Sequence, residues 1–152
     1  MKLTFVIAAS ALLAAPAFAD GHGGPGDAAK GEREFRTCAA CHSIIDPEGE
    51  TLAGRGAKTG PNLYGIIGRT AGTNEDFKYR PALPSAGEAG LVFSAENIGE
   101  YIADPTAYLR EFTGDDSLRS AMAKQRVRNI EDLVAFLASH SPVMEMEEES
   151  DS

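Results

Sequence analysis

The sequence predicts an all-α domain in which three to five helices and glycine-rich loops wrap around one covalently attached group that is not polypeptide. Three observations lead there. Helix signals are confined to residues just after position 27 and to the stretch from 94 to 140. Residues 43 to 93, by contrast, hold nine glycines and the prolines Pro47, Pro61, Pro81 and Pro84. Residues 38 to 42 read Cys-Ala-Ala-Cys-His. About fifty residues of loop bring too few apolar side chains to offset their own ordering, so something else must complete the core.

Composition bounds the rest. A chain of 152 residues makes one globular domain at most. With 43% hydrophobic and 24% charged residues it is neither wholly disordered nor a multi-span membrane protein. Two cysteines cannot build a disulfide scaffold. A net charge of -9 and a pI near 4.8 argue against nucleic acid as a partner, which demands a basic face.

The elements follow in order. Residues 1–19 read as a cleaved signal peptide: Lys2 starts it, Leu3 to Ala15 are almost all apolar, and Ala17-Phe18-Ala19 offers the small residues a signal peptidase reads. Against an uncleaved anchor stand Pro16 and an apolar run shorter than the roughly 20 residues that span a bilayer. No later segment is apolar enough to span, so the mature chain is expected to be soluble outside the cytoplasm. Residues 20–26 (DGHGGPG) read as a flexible N-terminus, with His22 solvated. The domain proper is expected over 27–140. Asp27 can cap a helix that runs through Glu32 and Phe35 into the cysteines. Residues 43 to 93 read mostly as loop, with one short apolar segment, Leu63-Tyr64-Gly65-Ile66-Ile67.

Ser94 can cap a helix with Ile98, Tyr101 and Ile102 on one face, ended by Asp104-Pro105. The same pair can open the next, with Asp104 as cap and Pro105 in the first position, reaching Phe112 and burying Tyr108, Leu109 and Phe112. The last helix has Asn129 as cap, Asp132 in its first turn and Ile130, Leu133, Val134 and Leu137 at helical spacing; Ser141-Pro142 stops it. Residues 141–152, ending in five acids and no base, read as a disordered acidic tail.

Two thiols three positions apart on one helical turn, followed at once by an imidazole, suit a haem: Cys38 and Cys41 add across its vinyl groups and His42 faces the iron. The other uses of this motif fit less well. A thioredoxin-like redox pair wants a strand before Cys38, and none is readable. A zinc site needs a fourth ligand, with only His22 and His140 left over. A disulfide this tight inside a helix gains little. For the second axial position, Met122 stands in Arg119-Ser120-Ala121-Met122-Ala123-Lys124 among small neighbours, whereas Met144 and Met146 lie in the acidic tail; His140 is the rival.

These motifs resemble class I c-type cytochromes, closest to the bacterial cytochrome c2 group. The resemblance runs from Gly31 to Ser139 through the Cys38 to His42 motif, then Lys58-Thr-Gly-Pro61-Asn-Leu-Tyr-Gly-Ile-Ile-Gly-Arg69, and Glu100-Tyr101-Ile-Ala-Asp-Pro105. It implies the class I cytochrome c fold with one haem c, iron held by His42 and Met122, and no enzymatic activity. It further implies that the Pro61 carbonyl accepts the other ring N–H of His42, that Arg69 meets a haem propionate, and that Tyr101 and Ser120 stand beside the Met sulfur. Gly31 and Phe35 match the helix face that packs on Leu133 and Phe136. Where many relatives carry a Trp that donates to a propionate, this chain has Phe93, and the segment from Leu109 to Ala121 is longer than in mitochondrial relatives.

The implied function is one-electron transport between a membrane quinol-oxidising (cytochrome bc) complex and a photosynthetic reaction centre or terminal oxidase, by a monomer that docks transiently at its haem edge. A peroxidase or gas sensor on the same haem would need an open sixth position. Without its signal the chain carries a net charge of -10, of which five come from Glu145, Glu147, Glu148, Glu149 and Asp151. Lys30, Arg33, Arg36, Arg55, Lys58, Arg119, Lys124, Arg126 and Arg128 flank the segments expected to border the haem, so an acidic protein can still present a basic docking ring.

Overall fold

A computed structural model describes residues 26–142. The expected signal peptide, all but the last residue of the N-terminal segment, and the acidic tail from Val143 lie outside the described residues, and with them His22, Met144 and Met146. The elements are α1 (Ala28–Phe35), β1 (Ile44–Ile45), β2 (Thr51–Ala53), α2 (Ala82–Glu88), α3 (Ile98–Ala103), α4 (Pro105–Thr113) and α5 (Ile130–Ser139). Among the described residues the architecture is all-α as expected, five helices with one small antiparallel hairpin. No helix among the described residues is long and apolar enough to cross a membrane.

α1 and α5 cross at close range and frame the domain. Asp27 caps α1 by accepting from the Lys30 N–H at 3.2 Å, while its own N–H donates to Asp132 in the first turn of α5. Gly31 is the point of closest approach: a methyl group there would stand 1.9 Å from the Asp132 carbonyl and 2.6 Å from the Phe136 Cβ. One turn on, Phe35 meets Phe136 with ring centroids 5.5 Å apart. The α5 face predicted from periodicity is buried at Leu133, Val134 and Leu137, but Ala135, Phe136 and Ala138 are buried too, because α1 covers the opposite flank. Asn129 takes the cap position; its side chain donates to Glu34 of α1 rather than capping α5.

α1 ends at Phe35, short of the cysteines, and the chain continues in tight turns. The His42 N–H donates to the Cys38 carbonyl at 2.9 Å, so the two thiols still share one turn. Two elements lie in the stretch read as loop. The β1–β2 hairpin is too short to show a period. α2 was hidden by Pro81, Pro84 and Gly87, yet Pro84 sits in its first turn, where a missing N–H breaks no helical bond. α3 starts at Ile98, later than Ser94 implies: Ser94 and Asn97 exchange backbone-to-side-chain bonds ahead of it, and Asn97 takes the cap position. α4 starts as expected, with Asp104 accepting from the Ala107 N–H and Pro105 at the first position. It buries Leu109 fully, but Tyr108 only partly, and Phe112 is exposed.

Candidate haem site

A cavity of about 500 Å³ opens between the Cys38–His42 turn, the loop 59–72, α3 and the loop 120–125. That lies within the roughly 300–1,000 Å³ of cofactor sites. Apolar side chains, among them Leu63, Ile66, Phe93, Ile98 and Leu137, make most of its wall. The sequence-predicted residues Cys38, Cys41, His42, Pro61, Arg69, Tyr101, Ser120 and Met122 all line it, although they come from four separate stretches of chain.

His42 is held most tightly. Its ring is buried, and Nδ1–H donates to the Pro61 carbonyl at 2.9 Å; a carbonyl can only accept, so the proton sits on Nδ1 and Nε2 keeps its lone pair. Burial pushes the imidazole below its usual pKa, against the opposing pull of that bond, and this favours the neutral, ligating form. Gly60 makes room for the ring: a Cβ at residue 60 would lie 2.3–2.8 Å from three of its atoms. Cys38 is half-buried and Cys41 exposed, and they are not joined to each other. Burial, and then the neighbouring Cys41, raises Cys38 to about 11, so it is a thiol rather than a thiolate.

Across the cavity, the Met122 N–H donates to Ser120 Oγ at 3.0 Å, and the Ser120 hydroxyl lies beside the buried Tyr101 phenol, opposing the upward push of burial on that group. Tyr101 stacks obliquely on Phe93 at 4.9 Å. Arg69 donates through Nη1 to the Asn62 carbonyl at 2.8 Å and through Nη2 to the Tyr64 carbonyl, which leaves it N–H groups to spare. His140 is not among the lining residues; its ring packs edge-on against Phe136 at 4.7 Å. None of the nine bases flanking these segments lines the cavity either, whereas the exposed Arg80 does, with Tyr79 beside it.

Gly60, Asn62, Tyr79 and Arg80 carry no role in the sequence reading. Asn62 clamps the loop by bonding both the N–H and the carbonyl of Ile45, at 2.9 and 2.7 Å, and the Tyr64 N–H. An Asn straight after a Pro, in a loop without other anchors, is the signal that could have found it.

No protein-family model matches the chain. It is 47% identical over 139 residues to the cytochrome c2 of Rhodobacter capsulatus, an overlap that spans 91% of this chain and 96% of that one. The chain belongs to the class I cytochrome c family, close to cytochrome c2. Solved structures agree. Cytochrome c2 from Rhodobacter sphaeroides superimposes with a TM-score of 0.73 at 43% identity, covering 76% of this chain and 97% of that one. Ferric cytochrome c-550 from Paracoccus versutus gives 0.72 at 44%, covering 77% and 99%. Members of the family are electron carriers with one covalent haem c, for which Cys38 and Cys41 are the thiols of attachment. The cavity fits that group: apolar walls, two thiols and a neutral imidazole on one side, and a loop glycine that yields its side-chain space to the ring.

Proposed function

We propose that this protein is a periplasmic, monomeric, non-enzymatic electron carrier that takes electrons from a membrane quinol-oxidising (cytochrome bc) complex and passes them to a photosynthetic reaction centre or a terminal oxidase. Its iron is held by His42 and Met122. The observation that carries this reading is that both side chains line one apolar cavity, with the His42 ring donating to the Pro61 carbonyl of the loop 59–72 and the Met122 main-chain N–H donating to the Ser120 hydroxyl. With His42 and Met122 both holding the iron, the protein would leave no place on it for substrate. When bound, the haem supplies a one-electron ferric–ferrous couple, and a Met ligand favours the ferrous side. The chain's own part is to exclude water and hold the imidazole tautomer, so that little moves when charge changes. Arg69 and Tyr79 offer donors to the propionates, a role Phe93 cannot take.

The Met122→Ala variant should lose the Met-to-iron charge-transfer band, bind cyanide readily and fall in potential. An unchanged spectrum would remove Met122 from the iron and reopen the peroxidase-like or sensor reading.

Partners dock at the haem edge through exposed bases at the cavity mouth. Arg80 lines it, and Lys58 precedes the lining residue Thr59. Replacing both with Glu should slow association with the anionic face of a purified cytochrome bc complex about tenfold at low salt, with the difference fading as the Debye length shrinks below about 8 Å. Equal rates at every ionic strength would place docking elsewhere.

A further inference from the structure

The segment between α4 and α5 that carries Met122 contains neither helix nor strand. Met122 is itself only half-buried, between the exposed Ala121 and Ala123, and side-chain packing of this loop on the core comes from Leu118, Met122 and Val127, each partly buried. The loop is also held by a set of ties to the preceding helices. Arg110 Nε donates to the Leu118 carbonyl at 2.8 Å, and the Ser120 N–H donates to Thr106 Oγ1 at 3.2 Å. Beyond Met122, Lys124 pairs with Asp104 at 2.5 Å, and the Gln125 N–H donates to the Ile102 carbonyl at 3.1 Å.

These ties are unequal. The Lys124–Asp104 pair is exposed, with 71% and 34% of the side chains open to solvent, and exposed pairs contribute little. The Gln125 tie is main chain and independent of side-chain identity. The Arg110 bond is charge-assisted and part-buried, the stronger kind. Thr106 accepts from the same residue whose hydroxyl holds the Met122 N–H. Thr106 and Arg110 are four positions apart, hence on one face of α4.

We infer that Thr106 and Arg110 are positioning residues for Met122: from one face of α4 they pin the backbone at Ser120 and Leu118 and so set how often the Met sulfur leaves the iron. This rests on the reading that Met122 is the sixth ligand. A thioether is a weak ligand, and its occupancy depends on how much loop entropy must be given up to present it. Each lost bond should therefore raise the population of the ligand-free loop by about five- to tenfold.

Imidazole added to the ferric holoprotein competes with Met122 and reads that population. Thr106→Val, which keeps the shape and loses the acceptor, and Arg110→Met, which keeps the stem and loses the donor, should each bind imidazole about five- to tenfold more tightly. Thr106→Ser should restore the parent affinity, and Asp104→Asn should change it less than about twofold. A merely structural role would shift the urea midpoint and leave imidazole affinity alone. Parent-like affinity in both Thr106→Val and Arg110→Met, with the charge-transfer band lost in Met122→Ala, would overturn this inference while keeping the ligand. A band that survives in Met122→Ala would overturn the ligand and the inference with it.

Discussion

Where α1 crosses α5, protein packs on protein: Phe35 meets Phe136, Gly31 lets the two backbones touch, the Asp27 N–H at the start of α1 donates to Asp132, and Glu34 near the end of α1 accepts from the Arg128 N–H just ahead of α5. Between His42 and Phe93 the chain is arranged around a cavity instead. Its backbone groups are satisfied by bonds between distant stretches, such as Gly60 N–H to the Cys41 carbonyl and Gly68 N–H to the Phe93 carbonyl, both at 2.7 Å. Of its buried side chains, Ile66 and Phe93 line the hollow itself, and Ile44, Ala71 and Leu91 are buried away from it. The first region carries both halves of its interface in its own sequence. The second is complementary to something the ribosome does not make, so its stability depends on attachment while that of the crossing depends on shape.

Removing the attachment gives the largest effect. An empty cavity of about 500 Å³ with mostly apolar walls leaves those side chains without partners and this half of the core incomplete. The doubly substituted Cys38→Ala, Cys41→Ala protein, purified without haem, should therefore lose cooperative urea unfolding and the fixed side-chain signals of the loop half. A sharp transition at the parent midpoint would erase the contrast between the two regions.

A pair of glycine substitutions separates the regions more finely. Gly31→Ala forces a methyl group into the α1–α5 crossing and should lower holoprotein stability by about 1–3 kcal/mol in urea titration, with the visible spectrum unchanged. Gly60→Ala puts the same methyl group against the His42 ring, so it should change the spectrum and potential of the haem. If the two variants gave the same spectrum, the loop glycine would be structural only and the cavity wall would be more yielding than the helix crossing.

The contrast also explains what could be read without coordinates. α1, α4 and α5 were legible because their caps and apolar spacing are local: Asp27, the Asp104-Pro105 pair and the run from Ile130 to Leu137 each declare an element within a few residues. The need for a cofactor was legible as a deficit, a long glycine-rich stretch beside Cys-Ala-Ala-Cys-His. α2 was not, since Pro84 and Gly87 read as breakers until the helix start is known. Nor were Gly60, Asn62, Tyr79 and Arg80, whose roles arise only when distant loops close around the cavity. Tyr101, Ser120 and Arg69 entered through family likeness, because nothing in their local sequence marks a hydroxyl or a guanidinium as facing one hollow.

The smallest effect falls on the packed region and depends on pH. Asp27 caps α1, and its carboxyl is held below the ordinary aspartate value, first by its hydrogen bond with the Lys30 side chain and then by the Lys30 N–H. A folded-state pKa below the unfolded one means a contribution present above the unfolded value, 3.8, and lost as pH falls through the folded value. Asn is an equally good cap without the charge. In Asp27→Asn, stability near neutrality should thus stay close to the parent's, because the carboxylate is exposed and its ion pair screened. Below pH about 4 the variant's stability should fall less steeply than the parent's, by at most the slope of one titrating group. The haem spectrum should be the same in both proteins across that range, because α1's first turn touches α5 and not the cavity; a spectrum that tracked Asp27 would mean the two regions are mechanically coupled through α5.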